Sequence, residues 1–226
     1  GLKVLTIYIG GGTPTTLSAE QLERIFRLIA DHIDTSELLE FTLEAGRPDT
    51  ITEEKLKLAA DYGVTRVSVN PQTLNDRILK EIGRRHTVDD FFKAYEIAKK
   101  SGIRDINIDL IAGLPLYRLN EIFEDIVTLA NYQAGEIQLE SLKLLPGTEM
   151  RRRAEELGIR YSPFPPYEVL QTREISTSEL QVARRLSRLL DAFYNTPAWQ
   201  SLTRELIIKE EGFLHHFLEY LTEANL

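Results

Sequence analysis

Residues 4–14 read VLTIYIGGGTP, an apolar run that leads directly into three glycines, a threonine and a proline. The run is rich in β-branched and aromatic residues, which favours a β-strand over 4–9. Apolar residues then recur at helical spacing and predict a helix over 18–33, with Ser18 as its N-cap. A strand, a glycine-rich turn and an amphipathic helix in this order predict the first βα unit of an α/β fold.

The same alternation continues through the first three-quarters of the chain. Further strands are predicted at 40–44, 66–70, 106–111 and 137–142. Further helices are predicted at 52–62, with Thr52 as N-cap, and at 75–82, 88–101, 119–131 and 148–157. Because the strands are nearly uniformly apolar and the connections are short, we expect parallel βαβ units whose sheet is covered on both faces. Residues 1–150 would form this α/β core.

The character of the sequence changes after Pro146-Gly147. Residues 160–172 are rich in proline and aromatic residues, which predicts an ordered segment without regular structure. Residues 176–194 and 199–224 carry apolar residues at helical spacing and predict two helices. We therefore expect a helical C-terminal extension over 151–226.

The composition excludes several classes of protein and of site. Lys and Arg number 27 against 35 Asp and Glu, a net charge of −8 that argues against a nucleic-acid partner or an anionic membrane. No apolar run reaches the ~20 residues of a membrane span, and no signal pattern opens the chain, so the expected compartment is the cytoplasm. With no cysteine, this chain alone offers no disulfide, thiolate nucleophile or iron–sulfur ligand. The single Met150 and single Trp199 are interpreted as packing residues.

The histidines do not predict a metal site. No two of them stand at i, i+4, and no carboxylate flanks them at ligand spacing; they are His32, His86, His215 and His216. No Ser-His-Asp arrangement is visible either. The sequence therefore names no catalytic residue and no metal ligand.

Polar residues gather where the predicted strands end. They are Gly10 to Thr13, Glu44, Asn70 with Gln72, Asp109, and Glu140 with Lys143. Ligands of parallel α/β folds bind at the carboxyl edge of the sheet. Solubility alone would not place polar residues at the same end of strand after strand, so we expect a functional edge.

The glycines of this edge allow two interpretations. A glycine backbone can approach a ligand closely and direct N–H groups at it, but Gly10, Gly11 and Gly12 equally suit a tight strand–helix turn. The pattern lacks the Gly-Lys-Ser/Thr ending of a P-loop and the third-glycine position of a dinucleotide fingerprint. Glu44 is likewise open, as a ligand contact, a partner of Arg47 or an exposed charge.

Three further residues are candidates for ligand binding. Asp109 lies within an apolar strand, where a carboxylate needs partners, and the two hydroxyls of a ribose would satisfy it as well as a structural hydrogen bond would. Gln72 follows Asn70-Pro71 in a turn whose amide side chains can recognise hydroxyls. Arg84, next to Arg85, either offers a cation for a carboxylate or is an ordinary surface residue.

Taken together, these segments resemble the radical S-adenosylmethionine (SAM) superfamily, in particular the oxygen-independent coproporphyrinogen III oxidase and coproporphyrinogen dehydrogenase group. The matching motifs follow in the order of that group: YIGGGTPT at 8–15, TLEAGRPD at 42–49, NPQTLND at 70–76, IGR at 82–84 and NIDLIAGLP at 107–115. The C-terminal third is similar to cobalamin-binding-domain radical SAM proteins. That likeness rests on IQL at 137–139, LKLLPGT at 142–148, PPYEVL at 165–170 and FYN at 193–195.

The resemblance implies a partial (β/α)6 TIM-like barrel that lacks its first strand, with this chain supplying strands two to six. It also implies roles at the polar end of SAM. The loop formed by Gly10, Gly11, Gly12 and Thr13 would receive the methionyl amino group, with Glu44 nearby.

The remaining roles that the resemblance implies concern the rest of SAM. Arg84 would pair with the methionyl carboxylate, and Gln72 and Asp109 would bind the ribose hydroxyls. The backbone of Ile111 and Ala112 would contact the adenine.

One departure from the family concerns the chemistry. The family holds a 4Fe–4S cluster on a C-x-x-x-C-x-x-C loop after its first strand, and this sequence has no cysteine. The chain also begins at Gly1 rather than Met, so we expect a fragment whose cluster belongs only to a longer parent chain. Without the cluster there is no electron source for cleavage of SAM to a 5′-deoxyadenosyl radical, and the chain as given is expected to be inactive.

Three hypotheses of different classes follow. The first is the SAM-binding core of an enzyme that abstracts hydrogen from a small organic substrate, a tetrapyrrole being one candidate, with a reductant protein as partner of the parent. The second is a non-catalytic SAM- or nucleotide-binding module. The third is a helical interaction module built on residues 176–224.

Overall fold

The computed structural model describes residues 3–224, which divide into two compact units. The first comprises 3–71 and 85–108, and the second comprises 72–84 and 109–224. The strands, in chain order, are β1 (Thr6–Ile9), β2 (Glu40–Glu44), β3 (Arg66–Ser68), β4 (Asp105–Ala112), β5 (Glu136–Ser141), β6 (Arg160–Tyr161) and β7 (Val169–Gln171). The α-helices are α1 (Ala19–His32), α2 (Glu53–Asp61), α3 (Asp76–Glu81), α4 (Val88–Lys100), α5 (Leu119–Asn131), α6 (Glu149–Arg152), α7 (Thr177–Leu189), α8 (Pro197–Lys209) and α9 (Phe213–Glu223).

The five predicted strands form one sheet in the order β1-β2-β3-β4-β5. β1 to β4 pair with their neighbours in parallel, with Thr6 opposite Glu40, Thr42 opposite Arg66, and Arg66 opposite Asp105. Strand order that follows chain order, with a helix in each connection, is the pattern of successive βα units. The expected α/β fold class is thereby confirmed.

Helix starts follow the predicted caps. The Ser18 side chain accepts a hydrogen bond from the Gln21 N–H, and the Gln21 side chain accepts one from the Ser18 N–H, which makes a capping box for α1. Thr52 accepts from the Lys55 N–H at the start of α2. These bonds satisfy N–H groups that the helix itself cannot pair, and they explain why both helices begin where the sequence indicates.

The strand predicted over 66–70 ends two residues early, at Ser68. Val69 still donates its N–H to the Asn107 carbonyl, but Pro71 has no N–H and cannot continue the ladder.

The C-terminal region corrects four expectations. The segment 160–172 is not irregular throughout, because β6 and β7 pair in antiparallel. The helix predicted over 148–157 ends at Arg152, since the next turn is interrupted where the Ala154 N–H donates to the Arg151 carbonyl.

The helix predicted over 199–224 is two helices, because Gly212 adopts a left-handed conformation, with φ of 75°, that an α-helix does not accommodate. Trp199 is not a core residue, with half of its surface exposed.

The apolar face of α7 packs within the second unit. Its side chains at Leu180, Ala183 and Leu186 are buried, and α7 contacts β5. After Leu189 the chain continues as a π-helical segment, Leu190–Tyr194, whose Tyr194 hydroxyl donates to the Ala134 carbonyl over 2.8 Å.

Candidate functional site

In the first unit, the glycine loop holds a carboxylate at its mouth. Gly10 to Gly12 directly follow β1, and Glu44 is the last residue of the neighbouring strand β2. The Gly11 N–H donates to Glu44 Oε2 over 3.1 Å. The structure therefore brings the predicted residues Gly11 and Glu44 together, as expected where two parallel strands end side by side.

Gly10 permits this approach because it has no side chain. A Cβ at this position would lie 2.6 Å from Glu44 Oε2 and would also overlap the Tyr8 ring. Gly11 has a φ of 111° and Thr13 a φ of 72°, a region that glycine enters freely and threonine rarely. The loop is thus shaped by close approach at Gly10 and by left-handed backbone at Gly11 and Thr13.

A cluster of side chains that no sequence motif indicates anchors the segment after the loop. Thr15 Oγ1 and Thr50 Oγ1 share a hydrogen bond of 2.7 Å. Lys55 Nζ donates to the Thr15 carbonyl over 2.7 Å and to the Thr50 carbonyl over 3.1 Å. The partners lie 35 and 40 residues apart in the chain, so no local sequence signal announces them. An ammonium group that bonds two carbonyls fixes both segments with charge-assisted hydrogen bonds.

In the second unit, the backbone ties Gln72 to β4. The Gln72 N–H donates to the Asp109 carbonyl over 3.1 Å, and the Ile111 N–H donates to the Gln72 carbonyl over 2.9 Å. Three of the predicted site residues, Gln72, Asp109 and Ile111, are therefore brought together. Gln72 is 5% exposed and has a φ of 72°, which is uncommon for a residue other than glycine.

The two other predicted residues of this unit are placed by different contacts. The Ala112 carbonyl accepts from the Leu142 N–H over 2.9 Å, and the residue is buried. Arg84 is half-buried and follows Gly83, with its N–H donating to the Leu79 carbonyl over 2.9 Å at the end of α3. This backbone bond ties Arg84 to the end of α3.

A buried carboxylate lies beside the turn that carries Gln72. Asp125 Oδ2 accepts hydrogen bonds from the Leu74 N–H over 2.8 Å, from Thr73 Oγ1 over 3.1 Å and from the Tyr117 hydroxyl over 2.5 Å. Burial raises the pKa of Asp125, although the three hydrogen bonds favour its charged form. Burial and the neighbouring carboxylate also hold the pKa of Tyr117 well above its ordinary value.

The polar groups at these positions suit an ammonium group and neutral hydroxyls as ligand groups. In the first unit the Glu44 carboxylate lies beside the glycine loop, and a carboxylate is an acceptor for an ammonium group. In the second unit the Asp109 carboxylate lies within β4 rather than after its end, as the sequence indicates, and the Gln72 amide follows β3; both side-chain types recognise hydroxyl groups. Among residues 3–224, no three His, Asp or Glu side chains are grouped so that they could hold a metal ion. In the part of the chain that the structure describes, no helix has the length and apolar character that a membrane crossing demands.

Comparison with protein families gives two matches. The family described as the radical SAM superfamily matches residues 2–129. A family described as a protein of unknown function (DUF4080) matches residues 155–225.

Curated relatives are similar over most of the chain. The oxygen-independent coproporphyrinogen-III oxidase-like protein HemZ of Bacillus subtilis is 32% identical over 217 residues, which cover 92% of this chain and 43% of the relative. The heme chaperone HemW of Lactococcus lactis is 41% identical over 151 residues, which cover 67% of this chain and 40% of the relative. The chain thus spans about two fifths of the length of these relatives.

Solved structures share the fold. Coproporphyrinogen III oxidase of Escherichia coli superposes with a TM-score of 0.61 at 20% identity, covering 98% of this chain and 41% of that one. The archaeal Elp3 of Methanocaldococcus infernus gives a TM-score of 0.56 at 22% identity, covering 67% of this chain and 40% of that one. At these identities the likeness establishes the fold alone, a barrel-like parallel α/β arrangement.

Proposed function

The chain belongs to the radical SAM superfamily, and from that premise we propose that it is the SAM-binding core of a radical SAM enzyme. The observation that carries the proposal is the position of the Glu44 carboxylate. It accepts a hydrogen bond from the Gly11 N–H and lies so close to Gly10 that a side chain there would collide with it. An acceptor set of this kind at the carboxyl end of parallel strands suits the amino group of an amino-acid ligand.

The first unit would bind the polar end of SAM. Backbone groups of Gly10, Gly11, Gly12 and Thr13 would receive the methionyl amino group, and Glu44 would add a negative charge to that environment. The role of the backbone is supported by its left-handed conformation at Gly11, which orients peptide groups in a way that an ordinary strand does not.

The second unit would bind the nucleoside. The Asp109 carboxylate would accept hydrogen bonds from the ribose hydroxyls, the Gln72 amide would donate to them or accept from them, and the backbone of Ile111 and Ala112 would face the adenine. The direct backbone pairing of Gln72 with Asp109 and Ile111 supports a common role for these three. Arg84 would pair with the methionyl carboxylate, because a guanidinium matches the geometry of a carboxylate.

The residues of this chain do not fit a 4Fe–4S cluster. Cysteine thiolates hold such clusters, and the sequence has no cysteine. We therefore propose that this chain alone does not cleave SAM, and that the complete reaction requires cluster ligands from a longer parent chain. Incubation of the chain with SAM and dithionite should release no deoxyadenosine; its release would overturn this part of the proposal.

The parent protein would act on a small organic molecule. Reductive cleavage of SAM would supply the radical that abstracts a hydrogen atom from this molecule, and a reductant protein would deliver the electron for the cleavage. The name of one relative contains coproporphyrinogen III and that of another contains heme. Both molecules are tetrapyrroles, which supports a tetrapyrrole-related substrate. A cytoplasmic location is part of the same proposal and rests on the sequence.

The boundary near residue 150 is also proposed. Residues 1–150 would form the SAM-binding core and 151–226 a helical extension, with the likeness of the back third to cobalamin-binding radical SAM proteins resting on its motifs. Leu186 and Leu190 are completely buried within the second unit. Their burial favours a packing role for this face over the alternative of a free interaction module.

Anaerobic calorimetry with SAM tests the proposal. The chain should bind SAM, and Asp109→Ala should abolish or strongly weaken binding because a ribose contact is lost. The matched control is Asp105→Ala, on the same strand but at its start, where the carboxylate pairs with the exposed Arg104. A folded chain that binds no SAM would move the assignment to a protein without a SAM site, and equal loss in both variants would point to a general effect on β4.

A further inference from the structure

Two carboxylates of α5 hold the turn that carries Gln72 by hydrogen bonds. Asp125 binds the turn through Thr73 Oγ1 and the Leu74 N–H. One helical turn earlier on the same face, Glu121 Oε1 accepts from Asn75 Nδ2 over 3.2 Å. The turn is therefore held at three consecutive residues after Gln72.

Gln72 itself is held on the other side by β4, through its own N–H and carbonyl. Its left-handed φ of 72° is unfavourable for a residue with a side chain and persists only where surrounding structure imposes it. Because Thr73 and Leu74 follow immediately, the bonds to Asp125 restrict the conformations open to Gln72.

We propose that Asp125 is a positioning residue of the SAM site: its carboxylate locks the turn so that Gln72 presents its amide to the ribose. The inference rests on the proposed SAM-binding function and deepens it. It assigns a role to a residue on α5 that no sequence motif of the site includes.

The hydrogen-bond donors of the cluster match the acceptor capacity of a carboxylate oxygen. Three donors converge on a single oxygen, Asp125 Oδ2, and only 8% of the residue is exposed. A carboxylate oxygen accepts several hydrogen bonds, and a negative charge strengthens each of them. Asparagine has the same shape but no charge, so Asp125→Asn should loosen the turn while disturbing the packing little.

A double-mutant cycle on SAM affinity separates positioning from a general structural role. The variants are Asp125→Asn, Gln72→Ala and the two combined. Each single change should weaken SAM binding about tenfold, and the double variant should be no weaker than Gln72→Ala alone, because Asp125 acts through Gln72. Glu124→Gln, on the exposed face of α5, is the matched control and should bind SAM as the unchanged chain does.

Four outcomes decide the matter. The non-additive pattern supports the proposal. If Asp125→Asn binds as tightly as Glu124→Gln, or if the two losses multiply to about a hundredfold, Asp125 does not act through Gln72 and the proposal is overturned. If the unchanged chain and the control are folded but bind no SAM, the proposed function fails and this inference with it.

A milder variant covers the case in which Asp125→Asn does not fold. Tyr117→Phe keeps the buried ring and removes one donor to Asp125 Oδ2. It should weaken SAM binding in the same direction, and the loss should again vanish in the background of Gln72→Ala. An affinity equal to that of the unchanged chain would overturn the proposal.

Discussion

Replacing Gly10 and Gly12 by alanine, one at a time, tests the geometry of the glycine loop. A Cβ on Gly10 would lie 2.6 Å from Glu44 Oε2, closer than nonbonded atoms approach, and would overlap Tyr8 as well. A Cβ on Gly12 would meet nothing within 4 Å, and Gly12 does not have the left-handed φ of its neighbour Gly11. The two substitutions are therefore chemically identical and differ only in what surrounds them.

The loss of unfolding free energy in Gly10→Ala depends on which side chains the new methyl group displaces. Overpacking costs about 1–3 kcal/mol, but the Tyr8 ring is 65% exposed and can turn into solvent, which places the cost at the lower end. Displacing Glu44 also breaks its hydrogen bond with the Gly11 N–H, worth about 1 kcal/mol. Gly10→Ala should thus lose about 2 kcal/mol of unfolding free energy. Gly12→Ala should change stability by about 0.5 kcal/mol or less, in the stabilising direction if its backbone suits alanine.

Urea unfolding followed by circular dichroism measures both variants against the unchanged chain. Equal slopes against urea concentration would show that the difference in midpoint reflects stability. Equal unfolding free energies for Gly10→Ala and Gly12→Ala would refute the close approach of Glu44 to Gly10, and with it the shape of the proposed amino-group site.

Three further outcomes are expected. Asp90 closes the capping box of α4, and its hydrogen bonds with the Thr87 N–H and hydroxyl lower its pKa, so Asp90→Ala should cost about 1 kcal/mol at pH 7. That difference should shrink as the pH falls below 3.8 through the lowered pKa, and a difference independent of pH between 7 and 2 would contradict the assignment. The pH dependence of stability should have the opposite sign for Asp125, because burial raises the pKa of this carboxyl group. Protonation then stabilises the folded state, so the unfolding free energy should rise relative to Asp125→Asn as the pH falls from 7 toward 4. Leu186→Asp places a charge in a buried site and should abolish folding, whereas a folded monomer by circular dichroism and gel filtration would contradict the packing of α7.

Local patterns predicted the sheet and the helix starts because the causes are local. A strand covered on both faces must be apolar throughout, and an N-cap side chain bonds its own helix two or three residues on, as Ser18 and Thr52 do. The same reasoning failed where one residue decides the end of an element, at Pro71 after β3 and at Gly212 between α8 and α9.

The supports of the candidate site could not be predicted in the same way. Lys55 reaches Thr15 across 40 residues of chain, and Asp125 reaches Thr73 across 52. Each contact depends on how far apart two elements lie in the folded chain, which no periodicity encodes. Some residues that the motifs named lie at or after the ends of strands, as Glu44 and Gln72 do. The supporting Lys55 and Asp125 come instead from the helices α2 and α5.

Hydrogen exchange measured by mass spectrometry, with and without SAM, tests whether the chain binds SAM at the proposed residues. SAM should slow exchange in peptides that cover residues 10–13 and in peptides that cover residues 109–112, because both stretches carry residues proposed to bind SAM. Exchange that SAM leaves unchanged throughout the chain, or slows only in peptides from 177–224, would contradict this expectation.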